Sequence, residues 1–160
     1  MVEWGLRMTS DLKIETDEFQ LVLGPGWIQD RDCDPDQFKF WSEDKGSSVV
    51  ISYVRAQIPR EKWEAGAQVL LDARMEAHRE WEAQGGGPAT FGDVWVTEVE
   101  GGQALHVAYA GYNDRDIFRF MGWVTEAKFL NFFVSTETRD NDYSQLVFDE
   151  VFSGFRFYIP

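Results

Sequence analysis

One change of period in the middle of the chain constrains the fold most. Residues 59–84 are rich in Ala, Leu, Glu, Arg and Gln, which favour helix, and apolar residues recur there at three- and four-residue steps. The recurring positions are Trp63, Ala67, Leu70, Ala73 or Arg74, Ala77 and Trp81. Pro59 suits a first helical turn, and the run Gly85–Pro88 ends the pattern. The sequence therefore predicts one long amphipathic helix with Trp63 and Leu70 in the core.

Short strand-like runs lie on both sides of this helix. Four of them follow it with hairpin-length separators, and these are FGDVWVTEV, ALHVAYAGY, IFRFMGWV and FLNFFVSTE. The runs LKIE, FQLVL, FKFW and SVVISYV precede it. A short helix, YSQLVFDEVFSG, is capped by Asn141 or Asp142, and the strand FRFYI follows it. We therefore expect an α+β fold, an antiparallel meander packed against one long helix and a short C-terminal helix.

The domain boundaries follow from the absence of internal divisions. No internal repeat or low-complexity linker interrupts the 160 residues, so we expect a single domain over residues 11–160. Residues 1–10 show no clear period before Met8. They are expected to form a loose tail, and Met8 is an alternative natural start to Met1.

The order of elements resembles the PsbP-like superfamily along almost the whole chain. FQLVLGPGW (Phe19–Trp27) is similar to the family's opening strand and turn, and VVISYVRAQIPREKWEAGAQ is similar to its strand leading into the long helix. GGQALHVAYAGYNDRDIFRFMGWV is similar to the hairpin that follows, and DEVFSGFRF (Asp149–Phe157) to the closing helix and strand. The superfamily includes Mog-type Ran-binding proteins, PsbP of photosystem II and bacterial chaperones of type VI secretion effectors.

The resemblance implies a function as well as a fold. It implies a non-catalytic protein-binding module, such as a bacterial adaptor, chaperone or immunity-type protein linked to a secretion system, with a secreted effector or toxin as partner. It brings no family-wide catalytic residues that could be transferred to this chain. Two other functions stay open, a structural or assembly subunit that acts as a homodimer, and an enzyme whose histidine and carboxylate site assembles in space.

Composition limits the classes of partner. The 28 acidic residues outweigh the 15 basic ones, and a net charge of −13 disfavours binding to nucleic acid. No signal-like start and no apolar run of membrane-spanning length is present, so a cytoplasmic protein without membrane insertion is expected. Cys33 is the single cysteine, which excludes an intrachain disulfide.

The stretch DRDCDPD, Asp30 to Asp36, places a carboxylate at every second position. Asp30, Asp32 and Asp34 match the first ligands of an EF-hand loop, but Pro35 and Trp41 stand where that loop needs Gly and Glu. Cys33 has no second Cys or nearby His to complete a zinc site. We therefore interpret the stretch as a solvated loop and expect no metal ion or other cofactor.

The two histidines are the remaining catalytic candidates. His78 and Glu82 are four residues apart on the predicted helix and could share a metal, but a surface contact between them is the preferred interpretation. His106 lies in a strand, between two apolar residues that point the other way, and is expected to be a satisfied or half-exposed sheet histidine. No catalytic residue is therefore assigned.

Two neighbouring strands, IFRFMGWV and FLNFFVSTE, supply the predicted partner-binding residues. Both faces of each strand are partly apolar, whereas the long helix can cover only one face of the sheet. We expect it to cover the more continuous set, Phe118, Phe120, Leu130, Phe132 and Val134. The opposite face is expected to bind a partner through Arg119, Trp123, Phe129, Asn131 and Phe133. The alternative is that the C-terminal helix buries that face through Val147 and Val151.

Calcium is expected not to stabilise this protein. A specific ion would raise the melting temperature once its concentration exceeds the dissociation constant. Thermal melts with and without millimolar calcium should therefore coincide. A clear rise that disappears when Asp30, Asp32 and Asp34 are changed to Asn would contradict the interpretation of the acidic stretch as a solvated loop.

Overall fold

The fold was obtained as a computed structural model that describes residues 10–32 and 34–159. Eleven strands and two α-helices lie in this part of the chain. The strands are β1 (Leu12–Glu15), β2 (Phe19–Leu23), β3 (Ile28–Asp30), β4 (Gln37–Ser42), β5 (Ser47–Arg55), β6 (Thr90–Phe91), β7 (Trp95–Glu98), β8 (Leu105–Tyr112), β9 (Ile117–Val124), β10 (Lys128–Thr136) and β11 (Phe155–Phe157). The helices are α1 (Trp63–Trp81) and α2 (Asn141–Ser153). Cys33 and residues 1–9 of the predicted tail lie outside the described residues.

A large antiparallel sheet is the centre of the fold. Its strand order is β3-β4-β5-β10-β9-β8-β6, and β7 pairs with β8 beside β6. The predicted meander is confirmed for β8, β9 and β10. The run FGDVWVTEV, in contrast, divides into the separate strands β6 and β7. The α+β class with one long and one short helix is therefore confirmed.

Helix α1 covers one face of this sheet over β8 and β9. A single 3₁₀ turn, Arg60–Lys62, leads into it, and the indole Nε1 of Trp63 donates to the carbonyl of Ile58 at 3.0 Å. Trp63 and Leu70 are both buried, as the helical pattern predicts. Gly66 permits a close approach, because a Cβ there would lie 3.2 Å from the Phe129 ring. The helix therefore rests directly on the strands.

The other face of the large sheet is covered by a second layer, in which the C-terminal helix was an alternative suggested by the sequence and the small sheet was not predicted. Strands β1, β2 and β11 form a separate sheet in the order β1-β2-β11, and it packs there together with α2. The N-cap of α2 is Asp140, whose side chain accepts from the backbone N–H groups of Asp142 and Tyr143, and not Asn141 or Asp142. Val147 and Val151 of α2 are buried in this core.

The register between β9 and β10 decides which side chains share a face. Trp123 lies opposite Leu130, and Phe120 lies opposite Phe133. Opposite residues of an antiparallel pair point to the same side. Phe118 and Phe120 therefore pack under α1 with Phe133, while Trp123 packs with Leu130, Phe132 and Val134 under the second layer. The predicted grouping was right for Phe118 and Phe120 and wrong for the β10 residues.

A buried ion pair joins the two sheets. The Lys128 Nζ atom, in a side chain that is 1% exposed, donates to Glu18 Oε2 at 2.5 Å and also to the carbonyl of Tyr158. Arg55 Nε donates to the other carboxylate oxygen, Oε1, at 2.9 Å. Burial acts to raise the pKa of Glu18, but the two cations outweigh it and hold that pKa below its ordinary value. The carboxylate is thus satisfied where the small sheet meets the large one.

Large-to-small substitutions should distinguish the two cores from the surface. Leu70→Ala under α1 and Trp123→Ala under the second layer are each expected to lower the free energy of unfolding by about 2–5 kcal/mol. Leu146→Ala is the matched control, because Leu146 lies on α2 and is 56% exposed. Urea unfolding checks all three, and a Trp123→Ala variant as stable as the control would contradict the core assignment.

Candidate functional site

The five predicted partner-binding residues do not share a surface. Trp123 is 4% exposed, and its ring lies 4.5 Å from that of Phe157 and is stacked 5.0 Å from His106. Phe129 and Phe133 belong to the opposite face, where they pack against the α1 core. The expectation of one common face was therefore wrong, because the β9–β10 register separates the residues.

Arg119 and Asn131 also point to opposite faces. Arg119, on the α2 side, donates from Nη2 to Asn141 Oδ1 at 2.8 Å and from Nε to Ser144 Oγ at 3.3 Å. Its half-buried position lowers the pKa of the guanidinium, through loss of solvation. Asn131 donates to Ser52 Oγ at 3.2 Å. A partner contact by any one of the five residues stays a prediction.

The two histidines have different environments. The prediction that His78 makes a surface contact with Glu82 was wrong, because His78 is only 6% exposed and its ring packs among aromatic rings of the core. Its Nε2 atom lies 2.7 Å from the Tyr109 hydroxyl, and Arg74 Nε donates to the same hydroxyl at 3.3 Å. His106 is a half-buried sheet histidine, as predicted, with Nδ1 3.1 Å from the carbonyl oxygen of Gly122.

No candidate metal centre emerges from the described residues, which exclude Cys33. None of their His, Asp and Glu side chains group in threes that could hold an ion. Within the acidic stretch, Asp30 ends β3 and accepts from the backbone N–H of Asp32 at 2.9 Å. That contact is a local turn interaction.

The edge of the large sheet at β6 and β7 has the clearest features of a binding surface. Four neighbouring apolar side chains are exposed there: Phe91 by 37%, Val94 by 45%, Trp95 by 64% and Val96 by 47%. We call these four residues the edge surface. Single exposed apolar residues are ordinary, whereas several along one open sheet edge, here on both of its faces, are typical of an interaction site.

A groove lies beside the edge surface on the α2 side of the sheet. The register places Trp95 opposite Ala108, and the small side chains of Ala108 and Ala110 leave space in front of β8. Two adjoining cavities of about 350 and 500 Å³ share Gly92 and Ala110. Arg119 lines the first, and Gln145 and Phe148 of α2 form its far wall. We call this space the alanine groove, and Arg119 is the one predicted residue that lines it.

The segment that carries the edge surface contains acidic residues but no basic ones. Residues 80–114 contain no Lys or Arg, but they contain six acidic residues, Glu80, Glu82, Asp93, Glu98, Glu100 and Asp114. Arg60 pairs with Glu98 across the surface. Asp93 and Glu100 take part in none of the described ion pairs, so negative charge remains at both ends of β7.

A second groove lies on the α1 side, next to β4 and β5. It has a volume of about 730 Å³ and is lined by Trp41 together with a mixture of serines, Arg74, Arg115 and three carboxylates. This groove is more polar than the alanine groove. Trp41, which is 42% exposed, is thus an exposed tryptophan at the opposite end of the large sheet from Trp95.

Sequence reasoning missed the edge surface because FGDVWVTEV looks like one ordinary strand. The available signal was the pair Gly92–Asp93, which interrupts the alternation just before three consecutive apolar residues. Such an interruption is typical of a bulge or strand break at a sheet edge. The exposure of all four residues in β7 shows that this edge lies outside both cores.

Comparisons with known proteins concern the fold. No family model and no curated protein matches the sequence. The solution structure of cyanobacterial PsbP (CyanoP) from Synechocystis sp. PCC 6803 is similar, with a TM-score of 0.63 and 17% identity over 96% of each chain. A crystal structure from Bacteroides thetaiotaomicron VPI-5482 has a TM-score of 0.43 and 13% identity over 94% of this chain and 49% of that one.

The similarity to cyanobacterial PsbP confirms the predicted PsbP-like fold. At 17% identity it establishes the fold alone, and the Ran-binding and type VI relatives gain no support from it. No described helix is long and apolar enough to cross a membrane.

Acid should destabilise this protein partly through His78. Burial, together with the nearby charge of Arg74, lowers the pKa of His78 from 6.5 to about 4 in the folded state. Between these two values the unfolded chain binds more protons, so stability falls as the pH falls from 6.5 toward 4. This histidine contributes on the order of 3 kcal/mol to that fall.

The variant His78→Gln isolates this contribution. Glutamine can keep a hydrogen bond to Tyr109 but does not titrate, so the difference in unfolding free energy from the parent should shrink between pH 7 and pH 4.5. Urea unfolding at both pH values measures it. A difference that is independent of pH would show that His78 is not buried in its neutral form.

Proposed function

We propose that this chain is a non-catalytic protein-binding module that binds its partner through the edge surface and the alanine groove. The observation that carries this proposal is the cluster of Phe91, Val94, Trp95 and Val96 on an open sheet edge. Aromatic side chains with a polar surround are typical of interface centres. The adjoining groove offers space for side chains of the partner.

The environment of the histidines gives no support to an enzymatic role. In the described part of the chain, the hydrogen bonds of His78 and His106 go to a tyrosine hydroxyl and a backbone carbonyl, and not to a carboxylate. Five aromatic rings, those of Trp81, Phe91, Tyr109, Phe118 and Phe133, lie with centroids 4.6–6.3 Å from the His78 ring. We therefore interpret His78 as a structural residue of the α1 core.

The finer proposal concerns the kind of partner. A net charge of −13 suits a basic protein partner, and the sequence resemblance suggests a bacterial cytoplasmic adaptor, chaperone or immunity-type protein linked to a secretion system. Its partner would then be a secreted effector or toxin. The homodimeric assembly role remains the alternative, since an open edge can also pair with a second copy.

The matched variants Trp95→Ser and Trp41→Ser test the surface. Both residues are exposed tryptophans at opposite ends of the large sheet, so neither substitution should disturb a core. We expect Trp95→Ser to reduce recovery of the partner about tenfold or more, as for a central interface aromatic, and Trp41→Ser to leave it unchanged.

The measurement is quantitative affinity purification from the source cells with the parent and both variants, after thermal melts show that all three fold. Sedimentation of the purified proteins measures self-association in parallel. Equal recovery with Trp95→Ser and the parent would contradict the proposed surface. A parent dimer that Trp95→Ser dissociates would instead favour the assembly role.

A further inference from the structure

The backbone of β7 presents unused hydrogen-bonding groups at the sheet edge. Val99 N–H donates to the Ala104 carbonyl at 2.9 Å, which fixes the phase of the β7–β8 ladder. Because an antiparallel ladder alternates, Trp95 and Thr97 bond to β8, while the N–H and C=O groups of Val96 and Glu98 point away from it. In the described part of the chain, β7 pairs with no strand other than β8.

From this geometry we infer that the partner binds as an extended strand that pairs with β7 and carries basic residues at its ends. The inference rests on the proposed function and adds the mode of binding at the same surface. Strand addition to an open edge derives affinity from main-chain hydrogen bonds and specificity from pockets for alternate side chains.

The side chains of β7 favour such a strand on both faces of the sheet. Trp95 shares a face with Ala108 and the alanine groove, whereas Val96 points to the α1 side, opposite Val107. A strand paired with β7 would place every second side chain beside Trp95 at the groove and the others beside Val96. A strand with apolar groups on both faces, such as alternating Val and Thr, would therefore bury the exposed apolar area on either side.

The carboxylates around β7 favour basic residues at the two ends of an incoming strand. Asp93 precedes β7 and Glu100 follows it, and neither takes part in a described ion pair, whereas Glu98 is paired with Arg60. The segment of residues 80–114 that contains them has no Lys or Arg. Natural edge strands are commonly protected by lysine, which is absent here. Lysine or arginine at both ends of an incoming strand would lie near these carboxylates and contribute mainly to the association rate and the choice of partner.

The same charges disfavour a second copy as the occupant. Antiparallel pairing of two copies would bring Asp93 of each copy toward the Glu100 end of the other β7, and each chain carries a net charge of −13. Like charges across a strand pair are destabilising. The edge is thus open to an added strand, but its charge disfavours pairing with a second copy of this chain.

Synthetic peptides of the pattern Lys-Lys-Val-Thr-Val-Thr-Val-Lys-Lys test the inference by calorimetric titration. We expect this peptide to bind more weakly as salt increases. Two control peptides, one with Glu in place of every Lys and one with Pro at the central Val, should bind at least about tenfold more weakly. Equal binding of either control, or no binding of the basic peptide at about 1 mM, would overturn the inference.

Two variants at one position separate the contribution of the backbone N–H to peptide binding from that of the side chain. Val96→Pro removes an N–H that points to solvent, which an edge strand tolerates, whereas Val96→Thr keeps it. Val96→Pro should weaken peptide binding about tenfold, and Val96→Thr much less. Equal effects of the two variants would overturn strand addition.

Recovery of the cellular partner with Trp95→Ser and Val96→Pro distinguishes a failure of this inference from a failure of the proposed function. If Trp95→Ser reduces partner recovery but Val96→Pro does not, the surface is right and strand addition is wrong. If neither variant reduces it, the proposed function itself fails. A dimer of the parent chain that Val96→Pro dissociates would identify a second copy as the occupant and also overturn the inference.

Discussion

The turn between β9 and β10 sets the constraint on which the rest of the structure depends. The Thr125 hydroxyl accepts from the backbone N–H groups of Ala127 and Lys128, both at 3.1 Å, and so fixes a hairpin with Val124 opposite Phe129. In this register even-numbered residues of β9 share a face with odd-numbered residues of β10. A shift by one residue would exchange the two faces of a strand. Both cores therefore depend on this short turn.

This dependence explains what the sequence could and could not predict. Alternation within a strand and the spacing of Trp63, Ala67 and Leu70 along α1 are local patterns, and the structure confirms them. Whether Phe120 shares a face with Phe132 or Phe133 depends instead on the parity of the turn, which no local pattern shows. The sheet that joins β2 to β11 likewise pairs residues far apart in sequence, such as Phe19 and Phe157. The sequence therefore suggested, as an alternative, only the part of the cover over Trp123 that the C-terminal helix supplies, and not the small sheet.

The cover on both faces of the large sheet determines where a partner can bind. Helix α1 occupies one side of the meander, and α2 with the small sheet occupies the other, so the strongly apolar residues of β9 and β10 are used internally. The edge at β6 and β7 lies outside both covers. Its strand is interrupted between Phe91 and Trp95, and its apolar side chains are exposed. The candidate site was thus missed from sequence because its distinguishing property, an unpaired edge, depends on strand order.

Amide hydrogen exchange of the free protein, resolved by residue with NMR, tests the central claim that β7 is an open edge. The account predicts an alternating pattern, with slow exchange at Trp95 and Thr97, whose N–H groups bond to β8, and fast exchange at Val96 and Glu98, whose N–H groups point to solvent. Slow exchange at all four residues at low protein concentration would show that the edge is already paired or covered, and would contradict the account.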